Sequence, residues 1–252
     1  MNPSVLFVFI LSILLGVLRA ADLAFGTDAV TGLCVVGSVW WRYLALGIVV
    51  LAAVLVGRTQ PSHSEAVRSR RPLAGILAFV GAVCFLAAAG AQIALGAASG
   101  LGGFVRCILE CLCSAWLSTM GRCWLSPNEW KKPFGGLYLA VAGSLLFYWN
   151  VLMRFMENSS SWHRVAPTAA VWQALAALLL YLPKPENGRT LCAAGLAALC
   201  LCLCWELPHA AVLAVGAAAE PALLPELFAA LALCCVGALG GVCAAACARR
   251  PE

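Results

Sequence analysis

Residues 73–95, LAGILAFVGAVCFLAAAGAQIAL, form an apolar run of 23 residues without a charged side chain. A helix needs about 20 mostly apolar residues to cross the ~30 Å hydrocarbon core of a bilayer. The run therefore predicts a membrane-spanning helix. Gln92, the only amide in the run, lies near its carboxyl end.

The composition of the whole chain extends this prediction. Hydrophobic residues make up 63% of the 252 residues and charged residues only 11%, whereas soluble proteins carry about 25% charged residues. The mean hydropathy is +0.94. A soluble fold could not bury this much apolar surface behind a charged exterior. The composition therefore excludes a soluble protein and predicts that lipid surrounds most of the chain.

The length rule predicts eight spans, which define an all-α integral membrane protein built as four helical hairpins. The approximate spans are residues 4–21, 40–56, 73–95, 102–125, 134–153, 167–182, 190–205 and 223–248. The connecting segments are no longer than about twenty residues, so residues 1–252 are predicted to form a single transmembrane domain without a soluble domain. No G-x-x-x-x-G-K-[ST] or G-x-G-x-x-G motif is present.

The first apolar run has an alternative interpretation as a signal peptide. However, Met1-Asn-Pro-Ser lacks the basic residues that begin a signal peptide, and Arg19 and Asp22 would fall at the cleavage site. We therefore expect a retained first helix.

Basic residues mark one side of the predicted membrane. With eight spans, 11 of the 16 Lys and Arg residues fall on the same side: Arg58, Arg68, Arg70, Arg71, Arg122, Lys131, Lys132, Lys184, Arg189, Arg249 and Arg250. Loops rich in Lys and Arg are usually cytoplasmic. The predicted location is the cell membrane, multi-pass, with both termini in the cytoplasm. Because orientation explains the net charge of +5, no nucleic acid partner is expected.

Two connecting segments are predicted on the side of the membrane opposite the basic residues. Residues 22–42 combine turn residues with short β-branched runs and predict a small hairpin cap, anchored by Trp40 and Trp41. Residues 206–226 contain an apolar stretch that is too short to span. We expect this segment to be interfacial or re-entrant and broken by Pro208, Pro221 and Pro225.

Arg106 and Glu110 are the most unusual residues within a predicted span. Their spacing of four places them on one face of a helix, with Glu110 deep in the hydrocarbon. A charge at the bilayer centre costs about 2.5–3.5 kcal/mol on insertion scales, so it requires a partner, a cavity or a function. Three interpretations remain open: a salt bridge that fixes helix packing, a Glu110 side chain held neutral by desolvation, or a polar cleft in which Glu110 couples protons.

Other polar residues are predicted at the same end of the bundle. Asp22 lies near Arg19 and Arg42 in the predicted topology. The other residues that could rim a cleft above Glu110 are Asn150, Arg154 and Glu206, and Gln92 occupies an equivalent position on the third span. These residues are equally typical of the membrane interface. If they do form a rim, the arginines would suit an anionic or zwitterionic solute.

The 14 cysteines do not indicate a metal or redox site. No two of them have C-x-x-C spacing, and the three histidines are scattered. We interpret the cysteines as small apolar side chains, and we predict no metal and no cofactor. The chain also lacks the motifs of intramembrane proteases and paired acidic metal ligands, so we predict that it is not an enzyme.

Two functions are consistent with these features. The leading hypothesis is a transporter or permease for a small polar or anionic solute that uses Arg106 and Glu110, with Asp22, Asn150, Arg154 and Glu206 contributing to substrate binding. The alternative is an accessory, sensory or assembly subunit in which the buried charges are structural. The expected partners are the lipid bilayer, a small polar solute, and either a second copy of the chain or a partner membrane subunit. The Ala- and Cys-rich, multi-span composition is similar to that of many bacterial integral membrane proteins, but this likeness assigns no residue roles.

Overall fold

The computed structural model describes residues 3–26, 39–60, 65–96, 98, 100–126, 133–157, 162–183, 187–218 and 220–248. These residues are helical and contain no strand. The main helices are α1 (Pro3–Phe25), α2 (Val39–Arg58), α3 (Pro72–Ala94), α4 (Leu101–Leu125), α5 (Gly136–Glu157), α6 (Trp162–Tyr181), α7 (Gly188–Leu201), α8 (Leu207–Ala217) and α9 (Leu224–Cys247).

Within the described residues, six helical segments are long and apolar enough to cross a membrane. They are α1, α3, α4, α5, the continuous segment Gly188–Ala217 and the segment Pro221–Cys247. The apolar parts of α2 and α6, Tyr43–Arg58 and Thr168–Tyr181, are shorter. The all-helical prediction is confirmed, whereas the count of eight spans is not.

Six helices follow one another around a closed ring. In ring order these are α3, α4, α5, α6, α7 and α9, and α9 packs against α3 to complete the circuit. Helices α1 and α2 pack on the outside of α7. Because α7 has neighbours on nearly every side, most of its side chains are buried.

Glycines allow α7 and α9 to approach closely. A Cβ atom added at Gly195 of α7 would lie 2.5 Å from the carbonyl oxygen of Gly240 on α9, and one added at Gly237 would lie 2.5 Å from Cβ of Cys202. Both distances are too short for a real contact, so only residues without a side chain fit at these crossings.

A π-helical turn, Cys202–Glu206, joins α7 to α8. The N–H of Leu207 donates to the carbonyl of Cys202, five residues back, and Pro208 follows in the first turn of α8. Proline has no N–H to donate, and the π-helical turn shifts the hydrogen-bond pattern just before Pro208. The predicted break at Pro208 is therefore wrong: the helix continues through it to Ala217.

The remaining parts of residues 206–226 and 22–42 differ in how far the structure describes them. Pro221 begins a short 3-10 helix, Pro221–Leu223, and Pro225 lies in the first turn of α9. The predicted hairpin cap falls mainly on residues 27–38, outside the described residues.

The bundle has two chemically different ends. We call the end where α3 stops and α4 begins the Arg106 end, and the opposite end the Arg122 end. At the Arg122 end, Arg189 Nε donates to the carbonyl of Gln60 at 3.2 Å, which joins the start of α7 to the end of α2. Described basic residues gather at this end: Arg58, Arg68, Arg70, Arg71, Arg122 and Arg189.

Apolar side chains cover the outside of the bundle. Exposed examples include Phe7 and Leu14 on α1, Ile76 and Val83 on α3, Phe104 on α4, and Leu145 and Leu152 on α5. Exposed apolar surface on this scale is unfavourable in water. Together with the six long apolar helices, it suggests a multi-pass membrane protein in a lipid bilayer. The cytoplasmic orientation of the termini stays a prediction.

Candidate functional site

A buried cluster of polar side chains joins α3 to α4 at the Arg106 end. Arg106 Nε donates to Oε1 of Glu110 at 3.0 Å, which confirms that the i,i+4 spacing brings the two side chains together. Gln92 Nε2 lies 3.0 Å from Oε1 and 3.1 Å from Oε2 of the same carboxylate. Glu110 is 1% exposed, so these bonds replace its hydration.

Cys107 completes the cluster from the other side of Gln92. Its Sγ donates to Gln92 Oε1 at 3.4 Å and lies 3.9 Å from the carbonyl oxygen of Ala89. The amide of Gln92 therefore uses its oxygen towards Cys107 and its nitrogen towards Glu110. This arrangement fixes which way the amide points, since the reversed amide would place an oxygen against the carboxylate.

Gln92 was not among the candidate site residues predicted from the sequence. Its polarity near the end of an apolar run was a visible signal, because an amide in a membrane helix tends to hydrogen-bond to another helix. The identity of its partner could not be read from the sequence, since Glu110 lies 18 residues away on a different helix.

Arg106 belongs to the inward face of α4. At 3.6 residues per turn it lies opposite Phe104 and Ile108, which are exposed. Its side chain is nevertheless 30% exposed. Because Arg106 lies about one and a half turns from the start of the helix and on its inward face, we infer that this exposure is toward the Arg106 end of the bundle and not toward the apolar outer surface.

Below the cluster, the inward face of α4 is closed by apolar side chains. Leu117, Met120 and Trp124 follow Arg106 and Glu110 along this face, and all three are fully buried. Trp124 Nε1 donates to the carbonyl of Val67 at 3.0 Å. The backbone N–H of Arg71 donates to the carbonyl of Trp124 at 3.1 Å. The Arg122 end is thus closed by packing and hydrogen bonds.

Asn150 is half-buried on α5, which packs against α4. It lies nearly opposite the exposed residues Val141 and Leu152, so it belongs to the inward face of α5, as Arg106 does on α4. No hydrogen bond joins Asn150 to the Gln92–Arg106–Glu110 cluster in the described part of the chain. The side chain of Arg154 is outside the described residues, so its predicted place in a rim stays a prediction.

Asp22 forms a separate cluster around α1. Its carboxylate pairs with the guanidinium of Arg19, and that guanidinium lies over the ring of Trp205, 4.9 Å from its centroid. Tyr43 of α2 approaches the same ring, with the two centroids 6.3 Å apart. These contacts are of the cation–π and aromatic kinds and attach α1 and α2 to the π-helical turn. Arg42 is described by its backbone alone.

Glu206 also lies apart from Arg106 and Glu110. It ends the π-helical turn and is 4% exposed. Nδ1 of His209, one turn further along the helix, lies 4.0 Å from its Oε2. The structure therefore distributes the predicted site residues over at least three places: Arg106 with Glu110, Asp22 with Arg19, and Glu206 with His209.

The cysteines in the described part of the chain are free thiols. Among the described residues, no group of three or more His, Cys, Asp or Glu side chains could hold a metal ion. Buried thiols act as donors to backbone carbonyls, as Cys202 does to Leu233 at 3.4 Å and Cys204 does to Ser12 at 3.5 Å. These bonds link the π-helical turn to α9 and to α1.

Comparison with family models, with curated proteins and with solved structures finds no match for this chain.

Proposed function

We propose that this protein is a permease-like integral membrane protein that moves a small polar or anionic solute. The observation that carries the proposal is Arg106, a half-buried guanidinium on an inward helix face, anchored to the buried Glu110. A polar or ionisable residue within a membrane segment commonly marks a solute pathway.

The packing along α4 supports an asymmetric pathway. Arg106 is accessible at one end of the bundle, whereas Leu117, Met120 and Trp124 close the interior toward the other end. About 27 Å of helix separates Arg106 from Trp124 at 1.5 Å per residue. In the proposed permease, this arrangement would serve as one state of an alternating-access cycle, with the site reached from the Arg106 end. The proposal assigns no catalytic role to the chain.

Liposome flux is the direct test. Purified protein would be reconstituted in liposomes and screened for uptake of small anions, zwitterions, sugars and cations. We expect uptake of at least one polar solute, and we expect Arg106→Gln to abolish it. The matched control is Arg122→Gln, which removes an exposed arginine from the other end of the same helix. Absence of flux for every solute, with the protein inserted and folded, would reject the proposal.

An accessory subunit is the second candidate, and one observation favours it. The contacts between α3 and α4 are satisfied within the chain: Gln92 bonds to Glu110, and Ser114 Oγ donates to the carbonyl of Ala82 at 2.9 Å. Hydrogen bonds of this kind between neighbouring helices are what a purely structural role for the buried charges requires. Copurification of a stoichiometric membrane partner, combined with no flux in liposomes, would support this candidate over the permease.

A further inference from the structure

Within the described part of the chain, the guanidinium of Arg106 is hydrogen-bonded through one of its three nitrogens. Its Nε donates to Glu110 Oε1 at 3.0 Å. Within the described residues the two terminal nitrogens, Nη1 and Nη2, make no hydrogen bond to the protein. A guanidinium carries five N–H donors in a rigid plane, so the Nη1–Nη2 edge retains a pair of parallel donors.

The orientation of this edge is set by neighbouring side chains. Cys107 donates to Gln92, Gln92 donates to both oxygens of Glu110, and Glu110 accepts from Arg106. A chain of bonds of this kind removes rotational freedom from the arginine before any ligand arrives, which lowers the entropic cost of binding. Glu110, with donors from two side chains on its oxygens, therefore serves to position Arg106.

Charge limits the class of ligand that this edge can bind. Arg106 and Glu110 together are neutral, so a bound monoanion adds one uncompensated negative charge to the site and a bound dianion adds two. At the same distance, the Glu110 carboxylate repels a dianion about twice as strongly as it repels a monoanion. Two parallel N–H donors in a plane match the two oxygens of a carboxylate, as in bidentate arginine–carboxylate pairs.

The position of the edge separates a free solute from a lipid. A carboxylate is present both in small metabolites and in the serine headgroup of phosphatidylserine. Because Arg106 lies on the face of α4 opposite the exposed Phe104 and Ile108, lipid surrounding the bundle does not lie along that face. The geometry therefore favours a small solute that enters from the Arg106 end.

We infer that the Nη1–Nη2 edge of Arg106 binds the carboxylate of a small monoanionic solute, and that Glu110 and Gln92 are the positioning residues of this site. The inference rests on the proposed function, since it names the solute class for the same pathway. It also replaces the earlier hypothesis of proton coupling by Glu110 with a role in holding the arginine.

The test is direct binding, measured separately from transport. Wild-type protein in phosphatidylcholine nanodiscs would be titrated with acetate, propionate and benzoate, and in parallel with sulfate, methylphosphonate and methylammonium, by calorimetry and by ligand-dependent thermal shift. We expect saturable binding of at least one monocarboxylate, and we expect sulfate, methylphosphonate and methylammonium to bind more weakly than it does. Arg106→Lys keeps the charge but loses the paired donors, so we expect roughly a tenfold loss of affinity. Arg122→Lys is the matched control and should leave affinity unchanged.

Gln92→Leu tests the positioning role. It leaves Arg106 and Glu110 in place and should weaken carboxylate binding several-fold, with a smaller effect on methylammonium. Circular dichroism and size-exclusion profiles would verify that each variant is folded. If folded Gln92→Leu bound carboxylates as well as the wild type does, its positioning role would be overturned.

The remaining outcomes distinguish carboxylate binding at Arg106 from transport of the solute. No monocarboxylate binding by folded wild type, or equal binding by Arg106→Lys, would overturn the inference. Loss of solute binding in nanodiscs that contain phosphatidylserine would assign the edge to the lipid headgroup and overturn it too. Carboxylate binding without liposome flux would uphold the inference and reject the permease proposal. Flux of a solute without any preference for carboxylates would uphold the permease proposal and overturn the inference.

Discussion

Gln92 Nε2 lies 3.0 Å and 3.1 Å from the two carboxylate oxygens of Glu110 and so joins α3 to α4 through a charge that is almost completely buried. Hydrogen bonds to a buried charge are stronger than those between neutral groups. These two hydrogen bonds make the neutral Gln92 as important to the cluster as the charged Arg106.

Replacing Gln92 by Leu should destabilise the protein. The substitution introduces an apolar side chain of similar size and removes the donor to both oxygens of Glu110, leaving Arg106 as the remaining partner. We expect the free energy of unfolding to fall by about 1–3 kcal/mol, the cost of an unsatisfied buried group. SDS titration in detergent micelles would measure it. Gln173→Leu on α6 is the matched control, since Gln173 is exposed, and it should change stability by less than about 0.5 kcal/mol. Equal effects would contradict the role assigned to Gln92.

Adding a methyl group at Gly195 should force α7 and α9 apart. The new Cβ would lie 2.5 Å from the carbonyl oxygen of Gly240, a backbone atom that cannot rotate away. We expect Gly195→Ala to lower the free energy of unfolding by about 1–3 kcal/mol through overpacking. Thermal unfolding in micelles would measure it.

Gly90→Ala on α3 is the control for this crossing. A Cβ there meets nothing within 4 Å, and alanine is a better helix former than glycine, so the variant should be as stable as the wild type or more stable by about 0.5–1 kcal/mol. A stability loss that matched Gly195→Ala would show that the effect comes from the substitution itself and not from the α7–α9 contact.

Two buried tryptophans should respond differently to replacement by Phe. Trp124 Nε1 donates to the carbonyl of Val67 at 3.0 Å, whereas Trp116 Nε1 is buried without a hydrogen-bond partner in the described structure. Trp124→Phe loses a bond and leaves a carbonyl unpaired, while Trp116→Phe removes a donor that has no partner. The two variants lose the same volume, so Trp124→Phe should be less stable by about 1 kcal/mol. The same or the opposite order of unfolding midpoints would contradict the closure of the Arg122 end by this bond.

The predicted orientation can be tested with introduced cysteines. Ser69 is exposed at the Arg122 end, and Gly100 is exposed just before α4 at the Arg106 end. On intact cells, a membrane-impermeant maleimide should label Gly100→Cys above the background of the unmodified chain. It should label Ser69→Cys only after permeabilisation, because basic ends are normally cytoplasmic. The reverse pattern would contradict the predicted orientation, and labelling of both from one side would contradict a crossing by α3.

The helices that the sequence predicts best are those with long uninterrupted apolar runs. The third and fourth spans, predicted at 73–95 and 102–125, correspond to Pro72–Ala94 and Leu101–Leu125 in the structure. The prediction was least successful at residues 206–226. There, proline was expected to end the helix, but a π-helical turn before Pro208 shifts the hydrogen-bond pattern and lets the helix continue.

The contacts of the candidate site also divide into those that the sequence predicts and those that it does not. The sequence alone determined the contact between Arg106 and Glu110, because residues four apart on one helix are neighbours in any fold that keeps the helix. It also determined the helical class and the abundance of apolar surface, since both follow from composition and run length. Only the tertiary structure decided that Gln92 bonds to Glu110, that Asp22 and Glu206 lie in clusters of their own, and that the interior is closed below Arg106. Each of these contacts joins different helices, and helix order and rotation depend on how the whole bundle packs, which no local pattern of residues contains.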